Sequence, residues 1–382
     1  MPYGACGMRS PLSTPQGAPT EAPQGARGTP QGRGTGTDPP NRFEALHIVP
    51  DIDPDAFDED EPDRTPTRFY RDASRSILAE NHSPDISFRY SLNPYRGCEH
   101  GCIYCYARPT HEFLGFSAGL DFERRIMVKD DAPALLRRAF AARRWQPQAV
   151  ALSGNTDCYQ PVERRLELTR QCVEVFARSR NPITVITKSA LVARDADLYA
   201  ELAAYGAAHV AVSITTLDTE IARQMEPRAA RPERRLEAIR ALTRAGVPTS
   251  VMIGPVVPGL TDAEIPRILE AAAEAGARAA SWIMLRLPRP VDALFDRWLA
   301  ERFPTRRERV LHRVRETRAG RISDSTYGRR MRGQGVYADQ IAALFAATAR
   351  KYGLDRTLAP LSVSSFRAPR PDTGQLDLFS NA

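Results

Sequence analysis

Three cysteines within one short stretch constrain this chain more than anything else in it. Cys98, Cys102 and Cys105 lie in Asn93-Pro-Tyr-Arg-Gly-Cys-Glu-His-Gly-Cys-Ile-Tyr-Cys-Tyr-Ala107, spaced CxxxCxxC. Thiolates this close hold a metal, and the question is which one. A structural zinc site asks for four protein ligands, usually from two paired clusters. The sequence holds no second CxxC or HxxxH pair. Three thiolates suit a [4Fe–4S] cluster that leaves one iron free of protein. An open iron can bind and activate a small molecule, so the spacing points to chemistry. The rival reading is a zinc knuckle completed by His100 or His111.

The rest of the composition bounds the setting. At 382 residues, 42% hydrophobic and 26% charged, the chain is long enough for one large domain with extensions, or for two. No apolar run approaches the ~20 residues of a membrane span, and no signal-peptide core opens the sequence. A cytoplasmic protein without membrane contact is expected. Six cysteines, half of them clustered, read as an intracellular cofactor site and not as a disulfide framework. Charge is uneven. Residues 1–65 carry 5 Arg against 11 Asp and Glu, while the remainder is +13 within a total of +7. A body this basic is compatible with a polyanionic partner such as nucleic acid. A preference for solvated arginine would give the same count, since Lys occurs only at 129, 188 and 351.

Residues 1–40 are rich in Gly, Pro, Gln and Thr, and an acidic run from Asp51 to Asp63 follows. Such segments bury too little surface to offset their ordering entropy, so residues 1–65 are expected as a disordered tail. From residue 66 onward the pattern alternates. Strands are expected at 86–95, 149–153, 182–187, 209–214, 247–253 and 279–285. Helices are expected at 132–144, 162–178, 196–205, from Pro232 to Gly246, and from a Thr261–Glu264 capping box to Gly276. Strands alternating with helices imply right-handed βαβ units and a parallel sheet. Six units make an α/β fold of the incomplete (β/α)6 TIM-type barrel kind, whose sites lie at the C-terminal ends of the strands. This barrel is expected over 66–290, a basic helical extension over 291–370, and a flexible tail over 371–382.

The cysteine loop resembles that of radical S-adenosylmethionine (SAM) enzymes, where CxxxCxΦC holds a [4Fe–4S] cluster and SAM chelates the fourth iron. The incomplete barrel is also that superfamily's core fold. By this resemblance Tyr104 packs against the adenine of SAM. The loop Ser153-Gly-Asn-Thr-Asp-Cys-Tyr159 stands where many of these enzymes bind the SAM amino group. Asn155, Thr156 and Asp157 form an acceptor set suited to an ammonium, though an Asx-type turn would use the same residues. Lys188, after the third strand, offers a point charge for the SAM carboxylate. Period-two alternation puts Ser213 and Thr215 on one face of the fourth strand, opposite Val212 and Ile214. Their hydroxyls are candidates for the ribose or carboxylate of SAM. An external one-electron donor is implied.

The Asn-Pro-Tyr-Arg-Gly-Cys lead-in, CxxxCxYC, Thr156-Asp157, Lys188 and Ser213 are similar to the spore photoproduct lyase-like (DNA repair photolyase-like) branch over about residues 86–290. There the 5′-deoxyadenosyl radical takes hydrogen from a thymine dimer and a cysteine returns one. That cysteine's place falls on Gly154 here, and Cys158, four residues on, is the candidate substitute or else a buried structural thiol.

Beyond the barrel, Ser325-Thr-Tyr-Gly-Arg-Arg-Met-Arg-Gly-Gln-Gly-Val-Tyr337 combines arginines, glycines and tyrosines that suit phosphates and stacked bases. A basic loop capping the barrel mouth is the rival description. The pentapeptide Gln375-Leu-Asp-Leu-Phe379 resembles the Gln-Leu-x-Leu-Phe peptide with which bacterial repair proteins hook onto the DNA sliding clamp. It names Gln375, Leu376, Leu378 and Phe379 as partner-binding residues. The expectation is a radical SAM enzyme abstracting hydrogen from nucleic acid, in DNA repair. The alternatives are RNA, protein or small-molecule modification, or a non-catalytic zinc adaptor on the clamp.

Overall fold

The computed structural model describes residues 32–39, 41–42 and 66–369. Cys6, the acidic run and the clamp-like pentapeptide lie outside the described residues.

The described residues form ten strands: β1 (Arg68–Arg71), β2 (Leu78–Glu80), β3 (Tyr90–Leu92), β4 (Tyr95–Arg96), β5 (Arg125–Val128), β6 (Val150–Leu152), β7 (Ile183–Thr187), β8 (Ala208–Ser213), β9 (Thr249–Val256) and β10 (Ala279–Met284). Six of them, β3, β6, β7, β8, β9 and β10, run parallel in chain order, and β2 adds antiparallel outside β3. β1, β4 and β5 make a small separate sheet.

Parallel neighbours in chain order need a crossover each. The crossovers are α1 (Asp121–Arg124) and α2 (Ala132–Ala141) before β6, α3 (Glu163–Leu166) and α4 (Leu168–Ser179) before β7, and α5 (Ala196–Ala204) before β8. Then come α6 (Thr219–Met225) and α7 (Pro232–Arg244) before β9, and α8 (Ile265–Glu274) before β10. This is the incomplete (β/α)6 barrel expected. The strands present Val185, Val210, Val212, Val251 and Ile253 to Ile239, Leu242, Ile268 and Leu269 of the helices, all without exposed surface. Each such side chain contributes about 1.5–3 kcal/mol through burial.

The local expectations fail where a buried polar group overrides pattern. The helix read over 162–178 breaks at Glu167, which has a positive φ of 51°. Here the buried Glu163 carboxylate accepts from Thr169 and Arg170 backbone N–H, capping α4 from inside the protein. The Thr261–Glu264 capping box does not form. Thr261 Oγ1 accepts from Val257 N–H at 3.0 Å, and Glu264 reaches Leu217 N–H at 2.8 Å. Of the strand read over 86–95, only Tyr90–Leu92 joins the main sheet, because β4 turns away to pair with β5.

Two flanking segments complete the barrel. After β10 come α9 (Val291–Arg302), α10 (Pro304–Glu316) and α11 (Val336–Lys351). Phe295, Trp298, Leu299, Val310 and Val314 of α9 and α10 pack with Ile103 and Tyr104 of the cysteine loop in a second apolar cluster. The Ser325–Tyr337 segment spans the gap between the two ends of the sheet. Met331 O accepts from Met284 N–H at 2.9 Å beside β10, and Arg330 pairs with Asp85 at 2.5 Å before β3. At the other end of the chain, residues 32–39 and 41–42, within the stretch expected as a disordered tail, lie against the cysteine loop and α1.

Candidate active site at the C-terminal ends of the parallel strands

The cysteine loop leaves β4 and is fixed from several sides. Gly97 and Gly101 adopt positive φ of 79° and 67°. At Gly101 a Cβ would stand 2.7 Å from a Glu123 carboxylate oxygen, so only glycine fits this turn. Ile103 N–H donates to Met225 O at 3.0 Å, and Arg228 pairs with Glu99 at 3.0 Å. Cys98 and Cys102 are buried and Cys105 is half-buried. Burial pushes all three thiols up from their ordinary value. As thiolates they therefore need a cationic partner, which an iron cluster is.

The zinc alternative names His100 and His111. His111 is buried between Phe116 and Phe122 with neither ring nitrogen hydrogen-bonded, and burial drives it down to about 4. His100 Nδ1 lies 3.4 Å from Asp157. Among the described residues, no three His, Cys, Asp or Glu side chains gather as a single metal ion requires. A cluster spreads its thiolates over separate irons and asks for a wider arrangement.

Beside the loop, three strand ends converge. Lys188, just past β7, donates from Nζ to Ser213 Oγ at 3.1 Å and to Gly254 O in β9 at 2.9 Å. The same ammonium stands 5.8 Å from the Tyr104 ring centroid. Thr215 Oγ1 donates to Glu226 Oε1 at 2.7 Å, and Tyr104 hydroxyl donates to the same carboxylate. Glu226 is buried and paired with Arg235. Burial raises its carboxyl, but Arg235, then Lys188 and the two hydroxyls, override this and bring it down to about 2. Tyr104, Lys188, Ser213 and Thr215 are thus brought together.

The loop after β6 is placed differently. Asp157 accepts from Tyr159 N–H at 2.9 Å, Thr187 hydroxyl at 2.7 Å and Lys188 N–H at 2.8 Å, tying β6 to β7. Thr156 is buried and donates to Tyr95 O at 2.8 Å. Asn155 lies at the loop surface, 3.4 Å from Thr110 Oγ1. Cys158 follows Asp157 in this loop. It has no exposed surface, sits in the main core with Tyr159 and Cys172, and burial raises its thiol well above the usual range. These surroundings are those of the structural-thiol alternative.

Sequence reasoning missed Glu226, Arg235 and Arg286. No local pattern marks them, because burial of a charged residue is decided by which distant chain crosses over it. Arg286, following β10, lies 5.4 Å from the ring centroid of Tyr106, which is 47% exposed. Tyr106 hydroxyl reaches Gly154 O at 3.0 Å across the mouth.

The parallel partial barrel carries its three-thiol loop beside the C-terminal ends of its strands. Residues 92–272 match the family model described as the Radical SAM superfamily. An uncharacterized protein of Mycobacterium tuberculosis is 39% identical over 221 residues, covering 57% of this chain and 65% of that protein. This chain therefore spans just under two thirds of that relative. The radical SAM Nalpha-GlyT isomerase of Pseudomonas phage M6 is 26% identical, covering 54% of this chain and 42% of the isomerase. A structure of spore photoproduct lyase complexed with dinucleoside spore photoproduct superposes with a TM-score of 0.49 at 18% identity, covering 74% of this chain and 78% of that one. Among the described residues no helix is long and apolar enough to cross a membrane.

Proposed function

We propose that the chain is a radical SAM enzyme acting on nucleic acid, in DNA repair, with Cys98, Cys102 and Cys105 holding a [4Fe–4S] cluster. The observation that carries this is the meeting of Lys188, Ser213 and Tyr104 beside the thiol loop at the C-terminal ends of the strands. When bound and reduced by an external one-electron donor, the cluster supplies the electron that cleaves SAM and so a radical able to take hydrogen from a substrate. The protein's part is to bind and orient. Lys188 offers its ammonium to the SAM carboxylate, and Ser213 and Thr215 add hydroxyls beside it. Glu226 fixes the Tyr104 hydroxyl and thereby holds the ring where adenine would pack. Asn155 is the half-buried side chain of the loop proposed for the amino group, where Thr156 and Asp157 serve chiefly to lock that loop.

The mouth supports a nucleic-acid substrate. Arg286 beside Tyr106, and Arg330 stacked 4.5 Å from the Tyr327 ring with Tyr327 58% exposed, pair guanidinium groups with open aromatic faces. The Gln375–Phe379 peptide is proposed to carry the enzyme to the sliding clamp, raising its local concentration on DNA. Anaerobic reconstitution followed by SAM and dithionite should give a brown protein that releases 5′-deoxyadenosine. A colourless protein that releases none would defeat the reading. Crosslinking to lesion-bearing DNA, against RNA and peptide controls, tests the substrate class. Phe379→Ala should abolish clamp pull-down, and an unchanged pull-down refutes the tether.

A further inference from the structure

The outer side of the cysteine loop carries a construction that the chemistry above does not use. Arg108, three residues after the last thiol, is fully buried. Its Nε donates to Cys102 O at 3.0 Å and its Nη2 to Gly101 O at 3.3 Å. Its Nη1 holds the carbonyls of Ala118 and Gly119 at 3.3 and 2.8 Å. One guanidinium thus grips two carbonyls of the cysteine loop and two of the turn before α1. Its salt-bridge partner is Glu123, 2.6 Å away and equally unexposed.

Glu123 is completed from an unexpected direction. Its oxygens accept the backbone N–H groups of Gly34 at 2.9 Å and Thr35 at 3.2 Å. Gly34 presses on Gly101 so closely that a Cβ would fall 1.7 Å from the Gly101 carbonyl oxygen. The segment continues along the loop's support: Thr37 O accepts from Leu120 N–H at 3.2 Å, Asp38 accepts from Asp121 N–H at 2.9 Å, and Arg42 pairs with Glu112 at 2.6 Å. These residues are held by polar contacts directed at the housing of the thiols.

We propose that Glu123 is a positioning residue for the cluster-binding loop, acting through Arg108, and that residues 33–39 with 41–42 are a clasp supplied by the chain itself to keep that pair in place. The role assigned to the thiols rests on the cluster reading above. A buried ion pair holds geometry only when the remaining lone pairs of the carboxylate are satisfied. Without the clasp Glu123 loses two donors, Arg108 loses its fixed partner, and the carbonyls beside Cys102 are released.

The test uses metal-free full-length protein, alkylated with iodoacetamide under native conditions and read site by site by mass spectrometry. Gly34→Val unseats the clasp without removing a charge, and Glu123→Gln removes the charge. Each should speed labelling of Cys98, Cys102 and Cys105 by about tenfold or more, with buried Cys158 and Cys172 at the wild-type rate, as local opening requires. Wild-type rates at the loop thiols in both variants would overturn the proposal. Equal acceleration at Cys158 and Cys172 would also overturn it, since the segment would then be one more global support. The assay needs neither iron nor SAM. A failure of the cluster reading would show as missing 5′-deoxyadenosine with the labelling effect intact, so the two failures are distinguishable.

Discussion

Two buried arginine–glutamate pairs flank the cysteine loop, and they are built to opposite effect. Arg235–Glu226 faces the rim, and its carboxylate gathers the Tyr104 and Thr215 hydroxyls within the field of Lys188. Arg108–Glu123 faces away, and its carboxylate gathers backbone N–H groups from the start of the chain. Burial opposes the charge of both. At Glu226 the surrounding cations and hydroxyls win, and the carboxyl is brought to about 2. At Glu123 burial wins over Arg108 and the clasp, and the carboxyl stays raised. The same two residue types therefore make a firmly charged hub beside the site and a more finely balanced lock behind it. Desolvation is common to both, and the number and strength of added partners decide the sign.

The comparison can be broken most sharply at Arg235. Arg235→Met leaves Glu226 buried without its cation and should cost about 3–5 kcal/mol in urea unfolding. A loss below about 1 kcal/mol would remove the distinction drawn here. The pH dependence should separate the two pairs by sign. Glu226 is lowered from 4.5 to about 2, so the stability that wild type holds over Glu226→Gln should be full above pH 4.5 and fade as pH falls toward 2. Glu123 is raised, so wild type should instead gain on Glu123→Gln as pH falls and the carboxyl takes up its proton. Parallel trends in pH-resolved unfolding would contradict this. Lys188→Met removes a charged donor from the hub and should weaken SAM binding by about 1.5–3 kcal/mol in calorimetry on reconstituted protein. The smallest effect belongs to Cys158→Ala, costing about 1 kcal/mol of stability with SAM cleavage and product yield unchanged. Loss of product with intact cleavage would identify it as a hydrogen donor.

Much of the architecture was legible in the chain. Periodicity and helix stops located the six parallel strands, because burying one face of a strand or helix writes its period into the residues. The CxxxCxxC spacing marked the loop, and the strand-end rule marked Lys188 and Ser213. Errors fell where a buried polar contact overrode a local signal. Glu163 cut a continuous helical pattern in two, and Glu264 left its expected cap for Leu217. Cys158 lies in the apolar core, which no local pattern in the sequence announces.

What the sequence determined by itself was the order of elements and the three thiols, since both follow from contacts near in the chain. What only the tertiary structure decided was which charged residues are buried. Glu226 reaches Tyr104 across 122 positions and Gly34 reaches Glu123 across 89. In a chain with 53 Lys and Arg, nothing local separates a gripping arginine from a solvated one. The difference lies in desolvation, which a residue meets only when remote segments close over it.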